Sequence, residues 1–165
     1  MSSYKSVKIL LVDDNQHMRA ITSAVLQSAG VRDVHEAGDG PLALEILKSH
    51  DIDVAIVDFN MSPMDGVEFT RLVRNSPGSA NPYLPIIMMT GHSEKSRVFE
   101  ARDAGVTEFV TKPLTAKALL DRLHAVIFRP RPYVKTDSYF GPDRRRRNDA
   151  NYRGEKRRVA DHQVA

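Results

Sequence analysis

The 165-residue sequence predicts a doubly wound α/β domain: a five-stranded parallel sheet with five helices. Two observations and one rule of topology carry this. Short apolar runs alternate five times with segments of helical periodicity. The links between them are brief. Parallel strands joined in this way need right-handed crossovers, which put helices on both faces of the sheet.

Val7 to Val12 is apolar apart from Lys8 and stops at Asp13, Asp14 and Asn15, residues suited to a helix N-terminus. A helix over about Gln16 to Ser28 follows, with Met18, Ile21, Val25 and Ala29 as its apolar stripe and Gly30 as its stop. Val31 to Ala37 is a short second strand. Asp39 caps a second helix, with Pro41 in its first turn and Ala43, Ile46 and Leu47 facing the core, and this helix ends near His50.

Ile52 to Phe59 is the most strand-like run, apolar on both faces as a central parallel strand should be, and only Asp58 interrupts it. Asp65 and Glu68 form a capping box for a third helix that buries Phe69, Leu72 and Val73. A loop rich in Pro, Gly, Ser and Asn runs from Asn75 to Pro85, and Ile86 to Thr90 is the fourth strand. A short fourth helix ends at Gly105, and Glu108 to Thr111 is the fifth strand. Ala116, Leu119, Leu120, Leu123 and Ile127 mark the fifth helix.

Charge divides the chain after Phe128. Residues 1–128 hold 13 Lys/Arg and 16 Asp/Glu, whereas residues 129–165 hold 11 and 5, so the basic balance belongs to the tail and does not argue that the domain binds nucleic acid. No cysteine is present, which excludes disulfides, thiolate metal sites and cysteine nucleophiles. Neither a signal peptide nor a membrane-spanning run is legible, so no membrane insertion and a cytoplasmic location are expected.

Ligands of such sheets bind beyond the carboxyl ends of the strands. Those ends carry Asp13 and Asp14, Asp58, Thr90 and Lys112. Carboxylates gathered there repel by about 4 kcal/mol per pair at 4 Å in a medium of effective dielectric 20, and a hard divalent cation such as Mg²⁺ relieves that. Lys112 adds a fixed positive charge. A carboxylate nucleophile flanked by a metal and an ammonium suits phosphoryl transfer, and Asp58, alone and central, is the best nucleophile.

Taken together, LLVDDN, AIVDFNMSPMDG, IIMMTGH and FVTKPL make residues 5–128 resemble the receiver domain of two-component response regulators, whose minimal example is the bacterial chemotaxis regulator. The resemblance implies a flavodoxin-like sheet of order 2-1-3-4-5. It implies that Asp13, Asp14, Asp58 and the Asn60 carbonyl hold Mg²⁺, that Asp58 accepts the phosphoryl group, and that Lys112 contacts it. Thr90 and the aromatic Phe109 would form the switch, with Phe109 standing where the family often has Tyr. Asn60 and His92 would tune phosphoryl lifetime, and the Lys112–Pro113 bond would be cis. The implied function is a single-domain response regulator, not an enzyme beyond self-phosphotransfer and autodephosphorylation. Its partners would be a sensor histidine kinase or histidine phosphotransfer protein and an unidentified downstream protein.

Blander uses exist for each residue. Asp13 and Asp14 can cap a helix, Asp58 can cap a turn, and Lys112 with Pro113 can be a surface loop. Their joint occurrence at successive strand ends argues otherwise. An aspartate-based phosphatase of the haloacid dehalogenase type needs Asp, any residue, Asp after the first strand, and Asp13, Asp14, Asn15 does not supply it.

Residues 129–165 form a basic, Pro- and Arg-rich tail that is expected to be disordered. It has no recognisable DNA-binding domain. Arg144, Arg145, Arg146 and Arg147 are a candidate anion-binding segment. SYFGPDRRRR resembles the arginine-rich extensions with which certain receiver proteins bind cyclic di-GMP. A receiver-like effector that binds cyclic di-GMP or another anionic nucleotide is therefore the alternative reading.

Overall fold

In the computed structural model, which describes residues 4–144 and the backbone of 162–164, strands and helices alternate as the sequence pattern requires. They are β1 Lys8–Val12, α1 Gln16–Ser28, β2 Asp33–Ala37, α2 Gly40–Ser49, β3 Val54–Asp58, α3 Gly66–Asn75 and β4 Ile86–Thr90. A 3₁₀ turn His92–Arg97 leads into α4 Val98–Ala104, followed by β5 Glu108–Thr111 and α5 Ala116–Phe128. The sheet order is β2-β1-β3-β4-β5, all parallel.

Alternate side chains of the central strands feed separate cores. Ile9, Leu11, Val54, Ile56, Ile87 and Met89 pack beneath α1 and α5. Leu10, Val12, Ala55, Val57 and Ile86 face α2 and α3 instead. Burial on both faces is why these strands read as continuous apolar runs.

Three helical stripes differ from expectation; in α5, Ala116 is exposed and Val126 is buried. In α1 the buried residues are Thr22, Ser23 and Leu26, while Ile21 is exposed. Thr22 is accepted in the core because its hydroxyl donates to the Met18 carbonyl at 2.9 Å. In α3, Leu72 is exposed and Arg74 is buried in its stead. Burial holds the Arg74 guanidinium below its ordinary pKa. It is satisfied by carbonyls, Nε and Nη2 donating to Gly105 O at 3.1 and 2.9 Å and Nη1 to Pro82 O at 3.0 Å. Polarity alone could not reveal that environment.

The folded chain also continues past Phe128, and residues 129–144, expected to be disordered with the rest of the tail, form part of it. β6 Tyr133–Lys135 pairs antiparallel with β7 Phe140–Pro142, and with β8 His162–Val164 on its other edge. The β6–β7 hairpin docks where β4 and β5 begin. The Tyr133 hydroxyl donates to Tyr83 O at 2.6 Å, Arg131 pairs with Glu108 at 3.0 Å, and the rings of Tyr83, Tyr133 and Phe140 cluster together. Three aromatic side chains and paired charges compensate the ordering entropy of the hairpin segment, which its composition alone did not suggest. Among the described residues no helix is long and apolar enough to cross a membrane.

Candidate functional site

The turn after β1 is pinned by its backbone. The Asp13 amide donates to Ala37 O at 3.1 Å, and the Asp13 carbonyl accepts from Arg19 Nη1 at 2.7 Å. The helix-capping role belongs to neither acid of the pair: Asn15 caps α1, its Oδ1 accepting from the Met18 amide at 3.1 Å. Asp13 is therefore free to turn inward, where it is 1% exposed, while Asp14 stays at the surface. In the same way Asp65, and not Asp58, caps α3.

Asp58 ends β3 at 3% exposure, and carboxylate oxygens of Asp13, Asp14 and Asp58 all lie within 4.8 Å of one another. Lys112 Nζ stands 2.6 Å from Asp58 Oδ1 and forms an ion pair with it. Its backbone position follows from β5, because the Lys112 amide donates to Thr90 O at 2.7 Å; the following bond to Pro113 is cis. Burial raises the carboxyl pKa of Asp58 against the opposing pull of Lys112, and it raises that of Asp13 for the same reason.

The donor set fits a hard divalent cation. Three carboxylates supply oxygen only, Asp13 Oδ2 is buried without a hydrogen-bond donor, and one ammonium does not neutralise three acids. Mg²⁺ is the ion this chemistry suits, with Asp13, Asp14 and Asp58 as the residues that would hold it.

Of the remaining candidates, Thr90, Asn60 and His92 lie at or just past the carboxyl ends of β3 and β4. Thr90 ends β4 and is buried, in register with Thr111 of β5. Phe109 is half-buried and packs against the cluster of Phe59, Val67, Met88 and Ala101. Asn60 is exposed two residues past Asp58, and His92 is exposed at the start of the 3₁₀ turn. Arg144 lies far along the chain, 2.5 Å from Asp103 with its guanidinium over the Tyr139 ring, so this arginine already has partners within the molecule. Arg145, Arg146 and Arg147 lie outside the described residues.

Sequence reasoning passed over two supports. Gly66 opens α3 so close to the site that an added Cβ would meet the Asp58 carbonyl at 2.7 Å. The Asp-Gly pair at residues 65 and 66 was a readable signal for close approach. Arg19 had no such signal, since its sequence position is that of an ordinary helix residue.

Residues 9–124 match the response regulator receiver domain family model. The chain is 35% identical over 125 residues to chemotaxis protein CheY-3 of Vibrio cholerae serotype O1, covering 76% of this chain and 95% of that protein. It is 36% identical to chemotaxis protein CheY of Pseudomonas aeruginosa, over 74% of this chain and 98% of that one. Among solved structures, CheY4 of Vibrio cholerae superposes with a TM-score of 0.67 at 36% identity, covering 73% of this chain and 98% of CheY4. The receiver domain of a Pseudomonas aeruginosa sensor histidine kinase, solved with a magnesium ion coordinated in its active-site cleft, gives a TM-score of 0.64 at 28% identity, covering 72% and 94%.

Proposed function

Because the chain belongs to the response regulator receiver domain family, we propose that it accepts a phosphoryl group on Asp58 in a Mg²⁺-dependent reaction and signals through phosphorylation-dependent protein contacts. The observation that carries this reading is the convergence of Asp13, Asp14 and Asp58 within 4.8 Å, with Lys112 against Asp58.

The donor is a phosphohistidine of a sensor histidine kinase or histidine phosphotransfer protein. An Asp58 carboxylate oxygen attacks phosphorus, the bond from phosphorus to the donor nitrogen breaks, and the imidazole keeps that electron pair. Bound Mg²⁺ would neutralise equatorial charge on the transferring group. Lys112 supports the same charge from the β5 side, and its release from Asp58 frees the carboxylate oxygen it now contacts. Thr90 then turns its hydroxyl toward the phosphoryl oxygens and Phe109 moves inward, changing the surface a downstream protein meets. Asn60 and His92 border the path of hydrolytic water.

Incubation with a small phosphodonor and Mg²⁺ tests this. Wild type takes up label, while Asp58→Asn does not and neither does wild type in excess chelator. Equal labelling of wild type and Asp58→Asn would refute the assignment.

A further inference from the structure

We propose that Arg19 is a positioning residue for the acidic pair, holding the Asp13–Asp14 turn in the geometry that admits a divalent cation; this rests on the reading of that pair as Mg²⁺ ligands. The two halves of its fork have different work. Nη1 donates to the Asp13 carbonyl at 2.7 Å, and Nε donates to Glu36 Oε1 on β2 at 3.2 Å. Its side chain is only 19% exposed, and Glu36 sits one residue before Ala37, whose carbonyl takes the Asp13 amide. Arg19 and Ala37 thus hold both backbone polar groups of Asp13. The two bonds fix the peptide units on either side of Asp13, so a backbone change at Asp13 that swings its side chain out of the cluster disturbs one or both of them.

The arrangement has a distinctive electrostatic consequence. A guanidinium beside a cation site repels the incoming ion, so by charge alone Arg19 weakens binding. Its fork acts in the other direction, because a preformed turn spares the ion the cost of ordering its ligands. The sign of the effect on affinity separates the two. Lys can keep the charge but not the planar fork that reaches Asp13 O and Glu36 together.

Isothermal titration of the full chain with Mg²⁺ reads this directly. Arg19→Lys is expected to bind about tenfold more weakly than wild type, the lower range seen when an outer support of a metal ligand is lost. Glu36→Gln, which keeps Arg19 but loosens its grip, is expected to bind about threefold more weakly, again a partial loss of outer support. Labelling by a phosphodonor shifts correspondingly to higher Mg²⁺, with its saturating rate close to wild type. Arg19→Lys at wild-type affinity would overturn the proposal, as would tighter binding by Arg19→Ala. Thermal melts in chelator report whether each variant is folded; should Arg19→Lys be unfolded, Glu36→Gln decides, and unchanged affinity there overturns the proposal. No Mg²⁺ binding by wild type would remove the metal reading itself, an outcome distinct from equal binding by wild type and variants.

Discussion

The guanidinium carbon of Arg74 lies 5.2 Å from the centre of the Tyr133 ring, so a cation buried in α3 is roofed by an aromatic side chain from beyond α5. The rest of that cation is held by carbonyls of Gly105 and Pro82. The hairpin after residue 128 is consequently part of what keeps a buried charge out of water.

Removing the hairpin should therefore unsettle the domain. A chain ending at Arg129 is expected to lose about 2–4 kcal/mol of stability through exposure of Arg74 and the aromatic cluster. Tyr133→Phe keeps the ring and loses the bond to Tyr83 O, a cost of about 1 kcal/mol. Urea unfolding followed by circular dichroism measures both, and identical midpoints for full-length and shortened chains would contradict the prediction.

Metal-free stability should depend on pH through Asp58. Its folded pKa is raised above the ordinary value of 3.8, so the folded state holds the proton more tightly than the unfolded state. Stability is then lost as pH rises from about the ordinary value through the raised one. In chelator at neutral pH, Asp58→Asn is expected to be more stable than wild type by on the order of 1 kcal/mol, with the gain gone once pH falls below about 3.8. Added Mg²⁺ narrows or reverses the difference, because it binds the folded wild type preferentially. Melting temperatures at two pH values, with and without Mg²⁺, reveal the pattern; a wild type more stable than the Asn variant in chelator at pH 7 would be the wrong sign.

Lys112 is 2.6 Å from the proposed nucleophile and supplies the fixed charge opposite the acidic pair. Lys112→Ala is expected to slow labelling by a phosphodonor about 100-fold, the scale for loss of one preorganised electrostatic contact. Mg²⁺ binding should persist, since the carboxylates remain. A labelling rate within threefold of wild type would show that Lys112 serves only to stabilise the resting domain.

Gly66 offers a test of backbone placement. An added Cβ would meet Asp58 O at 2.7 Å and Met88 Cε at 2.9 Å, and the first is backbone that cannot swing away. Gly66→Ala should displace the end of β3, reducing labelling about tenfold or more, the order expected for misplacement of a reacting group. Gly78→Ala, with open space around its Cβ, is the control. Equal labelling of the two variants would show that the strand end tolerates the shift.

Much of the domain could be read before any coordinates. Apolar periodicity gave the five strands and their helices because each central strand is buried on both faces. Asp39 and Asp65 cap their helices through bonds to Leu42 and Glu68, as local chemistry predicts. Which helix face is buried was less legible. A single-residue rotation of α1 exchanges Ile21 for Thr22, and a hydroxyl bonded to its own helix looks polar in sequence but packs as a core residue.

The sequence by itself determined a parallel sheet wound by helices on both faces and the residues delivered to its carboxyl edge, because alternation of strand and helix leaves few topologies and spacing assigns each acid to a strand end, while the strand order came from the family resemblance. Only the tertiary structure decided which of those residues are free for chemistry. Asn15 and Asp65 take the capping roles, which releases Asp13 and Asp58 to face each other, and Arg19 grips the Asp13 turn while bonded to a second anchor, Glu36, that lies seventeen residues from Arg19 in sequence. The hairpin past Phe128 belongs to the same class of result. Its stability comes from Tyr83, Glu108 and Arg74, contacts distant in sequence, and composition, which weighs a segment alone, has no access to them.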